Sequence, residues 1–540
     1  MEKRLILAIF ISAVILFFFN YYFSPPPQQE TGKTGVEATS EEMAPTPAAS
    51  PTPPAPPTSK VLEKEIEIPE KARFIQTDLL SIELTPRGEV KSWQPNQYQE
   101  EGDKLVDLVP PYPEEDFPLG VRLGGRELIP NEFYLHDHQV REFIYQLDEF
   151  PGVRFSKRLS FKPGTYVVDL ELEATNRSLK EVKIAGLSLE GGRVYIPTRE
   201  KEGHSWGGLN QAYYSGGKMV KVDYGGGGFL EGILTAIGLL EPMPHQDEVK
   251  DIKVPVSWIT QGSRYFLTVI IPESPGPGAE ATFKLDREGN FSMMTTIPPI
   301  LIPPQGKQSF KFRIYGGPRE HDRLISLAEG TGELLDLWSL ALLMLKILNF
   351  FHQISGNYGI AIILLTVAIK IILYPLNQRS FKSMKAMQEL QPQLNQLKEK
   401  HKKNREALNI EMMALYKRHK VNPIGGCLPL LLQMPIFIAL YSTLSKAIEL
   451  RGAEFILWVR DLSAKDPYYV LPILMGISML IQQRMTPAGD PTQARMMMFM
   501  PIIFTFMFLS FPSGLVLYWL VQNILTIGQQ YLINRSVGKN

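Results

Sequence analysis

The chain has 540 residues, 56 Lys and Arg against 56 Asp and Glu, and one cysteine, Cys427. That length is too great for one ordinary compact domain, the lone cysteine excludes an intramolecular disulfide and a cysteine-built metal site, and an apolar share of 44% excludes a wholly disordered chain. The zero net charge is a cancellation: residues 61–330 carry 31 bases and 40 acids, residues 331–540 carry 21 and 11, so two regions in different surroundings are expected.

Residues 5–23, LILAIFISAVILFFFNYYF, hold no charge and as a helix would span roughly 28 Å, about one hydrocarbon core. The run is longer than a signal-peptide core, and FFFNYYFSPPP offers no small-x-small cleavage site. We therefore read residues 1–23 as an uncleaved transmembrane anchor. Residues 24–60 contain ten prolines and no aromatic residue, the composition of an extended tether.

From residue 61 the pattern changes. FIQTDLLSIELTP, VRFSKRLSFKPGTYVVDLELEAT and SFKFRIYGG alternate at period two between Pro, Gly and Asn punctuation, which predicts strands. We read residues 61–335 as a large antiparallel β-sandwich with a connecting helix near 321–335. His136 and His138 would share a strand face but have no further ligands nearby in sequence. Gly225 to Gly228 lack the context of a phosphate-binding loop and read as loop. No nucleophile–base pattern, metal set or cofactor motif emerges, so no enzyme and no cofactor is expected. Residues 336–354 are apolar but carry Asp336, Lys346, Asn349 and His352, as in an amphipathic helix lying on a membrane surface; Gly356-Asn357 separates it from the next apolar run.

Long uncharged runs then recur. Residues 358–376 hold one charge, Lys370; 25 uncharged residues lie between Lys420 and Lys446, 17 between Asp466 and Arg484, and 39 between Arg495 and Arg535. The last run is divided by Phe511-Pro512-Ser513-Gly514, a turn signal, predicting helices near 495–511 and 514–534. With the anchor this makes six spans. The loop 377–423 carries 11 Lys and Arg against 4 acids, so it is expected in the cytoplasm, with both termini inside and residues 24–340 outside. Within that loop, Phe381, Met384, Met387, Leu390, Leu394 and Leu397 recur at helical spacing, a second helix is expected near 404–419, and Pro392 is expected to kink the first. We read 379–420 as a cytoplasmic helical hairpin. Its basic charge offers a contact with ribosomal RNA or anionic lipid, and topology alone also accounts for it.

Polar groups inside the spans mark candidate function. Thr366 lies one turn before Lys370 on the same face, and Lys370 is roughly 9 Å along the axis from Leu376, near enough to snorkel instead. Gln433 interrupts the third span. Trp519, Asn523, Thr526 and Gln530 form one stripe on the last, widened by Gln522 and Gln529.

The strings YPL at 374–376, EMMALYKRHKVNPIGGCLPLLLQMPIF at 411–437, DLSAKDPYYVLPILMG at 461–476 and FPSGLVLYWLVQN at 511–523 resemble the YidC family of membrane-protein insertases, related to the Oxa-type proteins. The resemblance covers 335–540 tightly and the remainder as the Gram-negative layout. It implies a polytopic α-helical membrane protein of six transmembrane helices, both termini inside, with a large periplasmic antiparallel β-sandwich domain and a five-helix insertase core over 355–540. It also implies the bacterial inner membrane as location and a function in moving hydrophobic segments of nascent membrane proteins into the bilayer, alone or with the Sec translocon (SecYEG and SecDF). Lys370 matches the basic residue of the family's hydrophilic groove, where bacterial members commonly carry Arg; Thr366, Gln433, Trp519, Asn523 and Thr526 would line that groove. Phe437 and Met507 match positions on its hydrophobic slide. The alternative class, a transporter or channel for small solutes, predicts buried charge pairs and repeated halves; the sequence has one isolated intramembrane charge and no internal repeat.

Overall fold

The structure is a computed structural model that describes residues 68–100, 104–109, 117–194, 211–224, 247–273, 278–287, 289–401, 404–419, 421, 428–485 and 491–537. The anchor, the tether, Gly225 to Gly228 and Cys427 lie outside the described residues, as do the side chains of Met496, Met497 and Met498.

A four-residue helix, α1 (Glu70–Arg73), leads into antiparallel β-structure. Nine strands form the largest sheet, in spatial order Lys218–Lys221, Gln211–Ser215, Trp258–Gly262, Phe266–Pro272, Lys307–Pro318, Val167–Asn176, Val153–Phe161, Val140–Gln146 and Glu132–Leu135. A six-stranded sheet runs Glu248–Ile252, Glu280–Leu285, Phe291–Ile297, Leu187–Arg193, Val121–Leu123 and Arg126–Glu127. A three-stranded sheet holds Phe74–Gln76, Leu80–Leu84 and Val90–Pro95. One apolar core joins all three, including Trp93, Val168, Leu170, Leu189, Trp258, Phe283 and Phe312. Alternation in sequence becomes alternation in burial: along Val167–Asn176 every second residue is buried, as a strand's two faces require.

Lys157 departs from this rule. It occupies an inward position on Val153–Phe161 and is fully buried. Its ammonium donates to the carbonyls of Gly88 (2.6 Å) and Leu119 (2.5 Å). Burial pushes this ammonium's pKa down and that of the neighbouring Glu89 carboxyl up.

After α2 (His321–Ile325) and a 3-10 turn over Thr331–Leu335, the chain enters a helical bundle. Helix α3 (Ser339–Ser355) ends at Gly356, whose φ of 67° closes the last turn with a hydrogen bond to the His352 carbonyl. That left-handed conformation suits glycine. Next come α4 (Tyr358–Glu389), α5 (Gln391–Lys400), α6 (Arg405–Arg418), α7 (Leu428–Lys446), α8 (Val470–Met485), α9 (Pro491–Phe508) and α10 (Ser513–Val537). The stretch Tyr358–Met387 is long and apolar enough to cross a membrane, with mean hydropathy 2.3; Ser339–Ser355, Val470–Met485 and Phe499–Phe508 are shorter apolar helices. Helix α10 packs on α4 and α8, and α3 packs on α4 and α7, around Leu345, Ile362, Leu365, Leu440, Met475, Phe508 and Val516. At Gly476 on α8 an added Cβ would lie 2.0 Å from Thr505 Oγ1 of α9, so the missing side chain sets how closely those two helices pack.

Two prolines fall in the stretch that follows the first apolar run. The span at 358–376 and the first arm of the hairpin are one continuous helix with Pro375 inside it, because the residues after Pro375 are mostly good helix formers with no glycine among them. The break falls instead at Leu390, and Pro392 stands in the first turn of α5, where a missing N–H leaves no bond unmade. The first arm of the hairpin is thus interrupted two residues before Pro392, the point that the proline weakens. Asn404 caps α6 by accepting from the Ala407 N–H at 3.0 Å, and Glu411 of α6 meets His401 at 3.0 Å.

At the end of the bundle where α4, α8 and α10 begin, the loop between α7 and α8 is braced. The buried Asp466 carboxylate accepts from Trp458 Nε1 (3.0 Å) and from the N–H groups of Tyr468 (3.0 Å) and Leu471 (2.7 Å). The turn before α10 is tied to the same loop, Ser513 N–H to the Ala464 carbonyl (2.7 Å) and Gly514 N–H to that of Leu462 (2.9 Å).

The β-structure meets the bundle through Asp336, which has φ of 53°. Its carboxylate takes Lys446 of α7 at 2.8 Å and also Lys221. Nearby, Arg264 donates to the Ser445 carbonyl, and the Arg451 guanidinium sits 5.4 Å from the Phe266 ring centroid. Burial opposes the charged form of Asp336, but the two ammonium groups outweigh it and hold the carboxyl below its ordinary value. A carboxylate with a depressed folded pKa stabilises above the unfolded pKa, and the contribution is lost as pH falls through the folded value. Asp336→Asn should therefore raise hydrogen exchange across 331–345 roughly fivefold at neutral pH, the effect of losing about 1 kcal/mol. In the unsubstituted protein this protection should fall only on acidification below about pH 4, and the Asn variant should have no such step.

Candidate functional site

Three helices, α4, α8 and α10, bring Lys370, Ser478, Asn523 and Thr526 together. Helices α4 and α10 both start at the braced end and lie side by side, with Gly514 against Ile362 and, further along, Thr526 against Lys370. The Lys370 ammonium donates to Thr526 Oγ1 at 2.7 Å. Thr526 gives its own proton to the Gln522 carbonyl at 2.6 Å, which leaves its lone pairs for the ammonium. The same device recurs alongside. Ser478 of α8 donates to the Met475 carbonyl (2.6 Å) and accepts from Asn523 Nδ2 of α10 (2.9 Å). Thr366 donates to the Ile362 carbonyl at 2.7 Å. Each hydroxyl spends its one proton on its own helix and presents acceptor capacity to its surroundings.

Lys370 is only 8% exposed. Among the described residues no carboxylate lies within ion-pair distance of it and Thr526 is its hydrogen-bond partner, so two of its three N–H donors have no protein acceptor there. Gln529, 6% exposed, has neither side-chain amide atom bonded among the described residues, and Gln522 Oε1 is likewise unbonded. An unsatisfied buried amide group costs about 1–3 kcal/mol and an unpaired buried charge several more. These groups stand together on α4 and α10, and water is the common remedy.

Counted from Ser513, Trp519 lies roughly 9 Å along α10, Asn523 roughly 15 Å and Thr526 roughly 20 Å. Trp519 does not join the polar cluster. Its ring packs edge-on against Phe437 of α7 (centroids 4.9 Å apart), with Phe508 at 5.2 Å and Phe504 at 6.0 Å. An aromatic layer therefore closes the braced end and the polar cluster lies beyond it. Gln433 of α7 donates to Tyr518 OH at 2.8 Å, within the bundle and not onto Lys370. Met507 is exposed on α9, with Ile503 and Phe506 also exposed on that helix. Sequence reading missed Ser478, Tyr518, Phe504 and Phe508. Ser478 alone had a signal, as a hydroxyl inside the uncharged run 467–483.

Comparisons with known proteins bear on both halves. Residues 350–540 match the family described as 60Kd inner membrane protein, and residues 75–344 match the YidC periplasmic domain. The membrane protein insertase YidC of Syntrophus aciditrophicus is 37% identical over 496 residues, covering 88% of this chain and 86% of that protein. The protein of the same name from Geobacter metallireducens is 35% identical over 554 residues, covering 99% of each. A solved structure described as an active YidC insertase with its first transmembrane domain resolved covers 85% of this chain and 94% of its own, at 18% identity and a TM-score of 0.36. With such identity to full-length relatives, the chain belongs to the YidC family of membrane protein insertases.

Proposed function

We propose that this inner-membrane insertase lowers the barrier to membrane crossing by offering nascent chains the polar pocket around Lys370. The observation that carries the reading is a buried ammonium whose partner among the described residues is a neutral hydroxyl, Thr526, on a helix that also carries glutamine amide atoms unbonded among those residues. A hydrophobic helix enters lipid downhill, but a charged flank at mid-bilayer costs roughly 3 kcal/mol on insertion scales and over 10 in simulations. A hydrated pocket reaching partway through the bilayer shortens the dry path for that flank. Lys370, Thr366, Asn523 and Thr526 line it, with Gln433 and Trp519 bordering it. Phe437 and Met507 belong to an apolar wall over which the hydrophobic segment slides, and methionine suits a surface that accepts many sequences. Partners are nascent membrane proteins and the lipid bilayer, with the Sec translocon and, through the basic α5–α6 hairpin, the ribosome.

In this reading six spans cross the membrane, both termini and the hairpin face the cytoplasm, and the β-sandwich stands in the periplasm. The excess of Lys and Arg in 377–423 supports that orientation. In a Cys427→Ser background, an impermeant thiol reagent should label the exposed positions 179 in Leu179→Cys from outside and 410 in Ile410→Cys only after lysis. The reverse pattern would overturn the orientation.

Substitutions at Lys370 separate a hydrated pocket from a snorkelling lysine. Lys370→Arg should insert substrates normally. Lys370→Glu should slow insertion of substrates with acidic translocated tails roughly tenfold, equivalent to about 1.4 kcal/mol, and spare those with neutral tails. If equally expressed variants inserted every substrate alike, Lys370 would be a snorkelling anchor and the pocket reading would fail.

A further inference from the structure

The β-sandwich carries a surface groove of about 770 Å³, far in sequence from the helical pocket and lined by Lys71, Phe74, Phe133, Leu135, His138 and Arg141 among others. Two sheet edges border it. Phe74–Gln76 ends the three-stranded sheet and Glu132–Leu135 ends the nine-stranded one, and among the described residues each pairs on one side only. Phe74 and Leu135 are each 51% exposed. A bare edge with apolar side chains is a template for another extended segment unless something blunts it.

The groove also has a definite charge. Arg141 is 3% exposed, and its guanidinium is pinned by neutral groups, Nε to the Ala72 carbonyl (2.7 Å) and Nη1 to those of Asp137 (2.8 Å) and Val140 (3.3 Å). The Asp137 carboxylate is engaged elsewhere, accepting from the N–H groups of Gln139 (2.6 Å) and Val140 (2.7 Å). Among the described residues none of Lys71, His138 and Arg141 forms an ion pair, and no carboxylate lines the groove. Yet residues 61–330 carry 40 acids against 31 bases, so a surface whose charged lining residues are Lys71 and Arg141 runs against the sign of its own domain.

We propose that this groove binds an extended polypeptide segment that alternates carboxylate and apolar side chains, added as a strand to the Glu132–Leu135 edge. Main-chain hydrogen bonds to the edge would hold the segment, and alternate side chains would read the groove. Carboxylates would meet Arg141, Lys71 and His138, and apolar side chains would pack on Phe74, Phe133 and Leu135. That such segments are translocated tails arriving in the periplasm rests on the function proposed above; the binding itself does not.

The test uses the full chain in phosphatidylethanolamine–phosphatidylglycerol nanodiscs and a fluorescent nine-residue peptide of alternating Val and Glu, followed by anisotropy. The peptide should bind. Replacing its Glu by Gln, or the exposed pair by Lys71→Glu with His138→Glu, should each weaken binding roughly tenfold, as expected when complementary charge is removed. N-methylation of alternate peptide amides should abolish it. A thermal melt of the double variant that matches the parent excludes misfolding, and Arg141→Lys should weaken binding while keeping the charge. No binding at 1 mM (a free energy weaker than about −4 kcal/mol), equal binding of the Glu and Gln peptides, or full affinity of the methylated peptide would each overturn the proposal. Lys370→Glu should leave this affinity unchanged, so failure of the insertion reading and failure of the groove are read separately.

Discussion

Lys370 carries a charge into a bundle whose neighbouring groups are neutral, and the arrangement around it answers that problem. A fixed carboxylate would neutralise the ammonium and fill the space. Here the acceptor is Thr526, which is free to accept because its proton is committed to the Gln522 carbonyl. Ser478 plays the same part for Asn523. The result is a patch rich in acceptors and poor in counter-charge. Such a patch is stable in apolar surroundings when water completes its hydrogen bonds, and a site that must hold water is also a site that a polar segment can enter.

The bundle is asymmetric along its axis for physical reasons that can be named. At the end where α4, α8 and α10 begin, the buried Asp466 holds the α7–α8 loop, that loop holds the turn before α10, and Trp519 with Phe437, Phe504 and Phe508 fills the interior. These contacts are dense and satisfied. Further along α10 come Asn523, Thr526 and Gln529, the last with its amide unbonded among the described residues. Satisfied polar networks rigidify and unsatisfied ones need solvent. One end is thus packed shut, and the pocket proposed above lies beyond it, which is the polarity a half-channel requires.

Much of this was legible in the sequence because the signals were periodic. The stripe of Asn523 and Thr526 on one face of the last helix predicted a shared environment, and Thr526 indeed meets Lys370. Alternating strands such as 167–176 declared themselves by the same logic. What escaped was non-local. Lys157 sits at an inward strand position, and only the folded carbonyls of Gly88 and Leu119 explain how a lysine is tolerated there. Trp519 shares the polar stripe, yet Phe437 from a helix distant in sequence and Phe508 from the helix just before pack on it, and their company decides that it packs with aromatics. Pro375 and Pro392 carry equal breaking signals, but one stands inside a helix and the other opens one; residue type alone does not distinguish a first turn from an interior.

The same geometry suits lysine at a position where the family resemblance implies arginine. An arginine fork presents five donors in a plane and favours partners that match it, such as a carboxylate. At Lys370 the partner is a single hydroxyl at 2.7 Å on the neighbouring helix, and a point charge with three rotatable donors meets it without orienting the remaining two. Lysine is also the more strongly hydrated of the two cations. In a pocket with neutral walls, that hydration draws water in where planar recognition would tend to fix a specific group. A function that depends on charge and water tolerates this exchange, whereas one that depends on bidentate recognition does not. Neutral groups on Thr366, Ser478, Asn523 and Thr526 suit the first class, in keeping with the role proposed for Lys370.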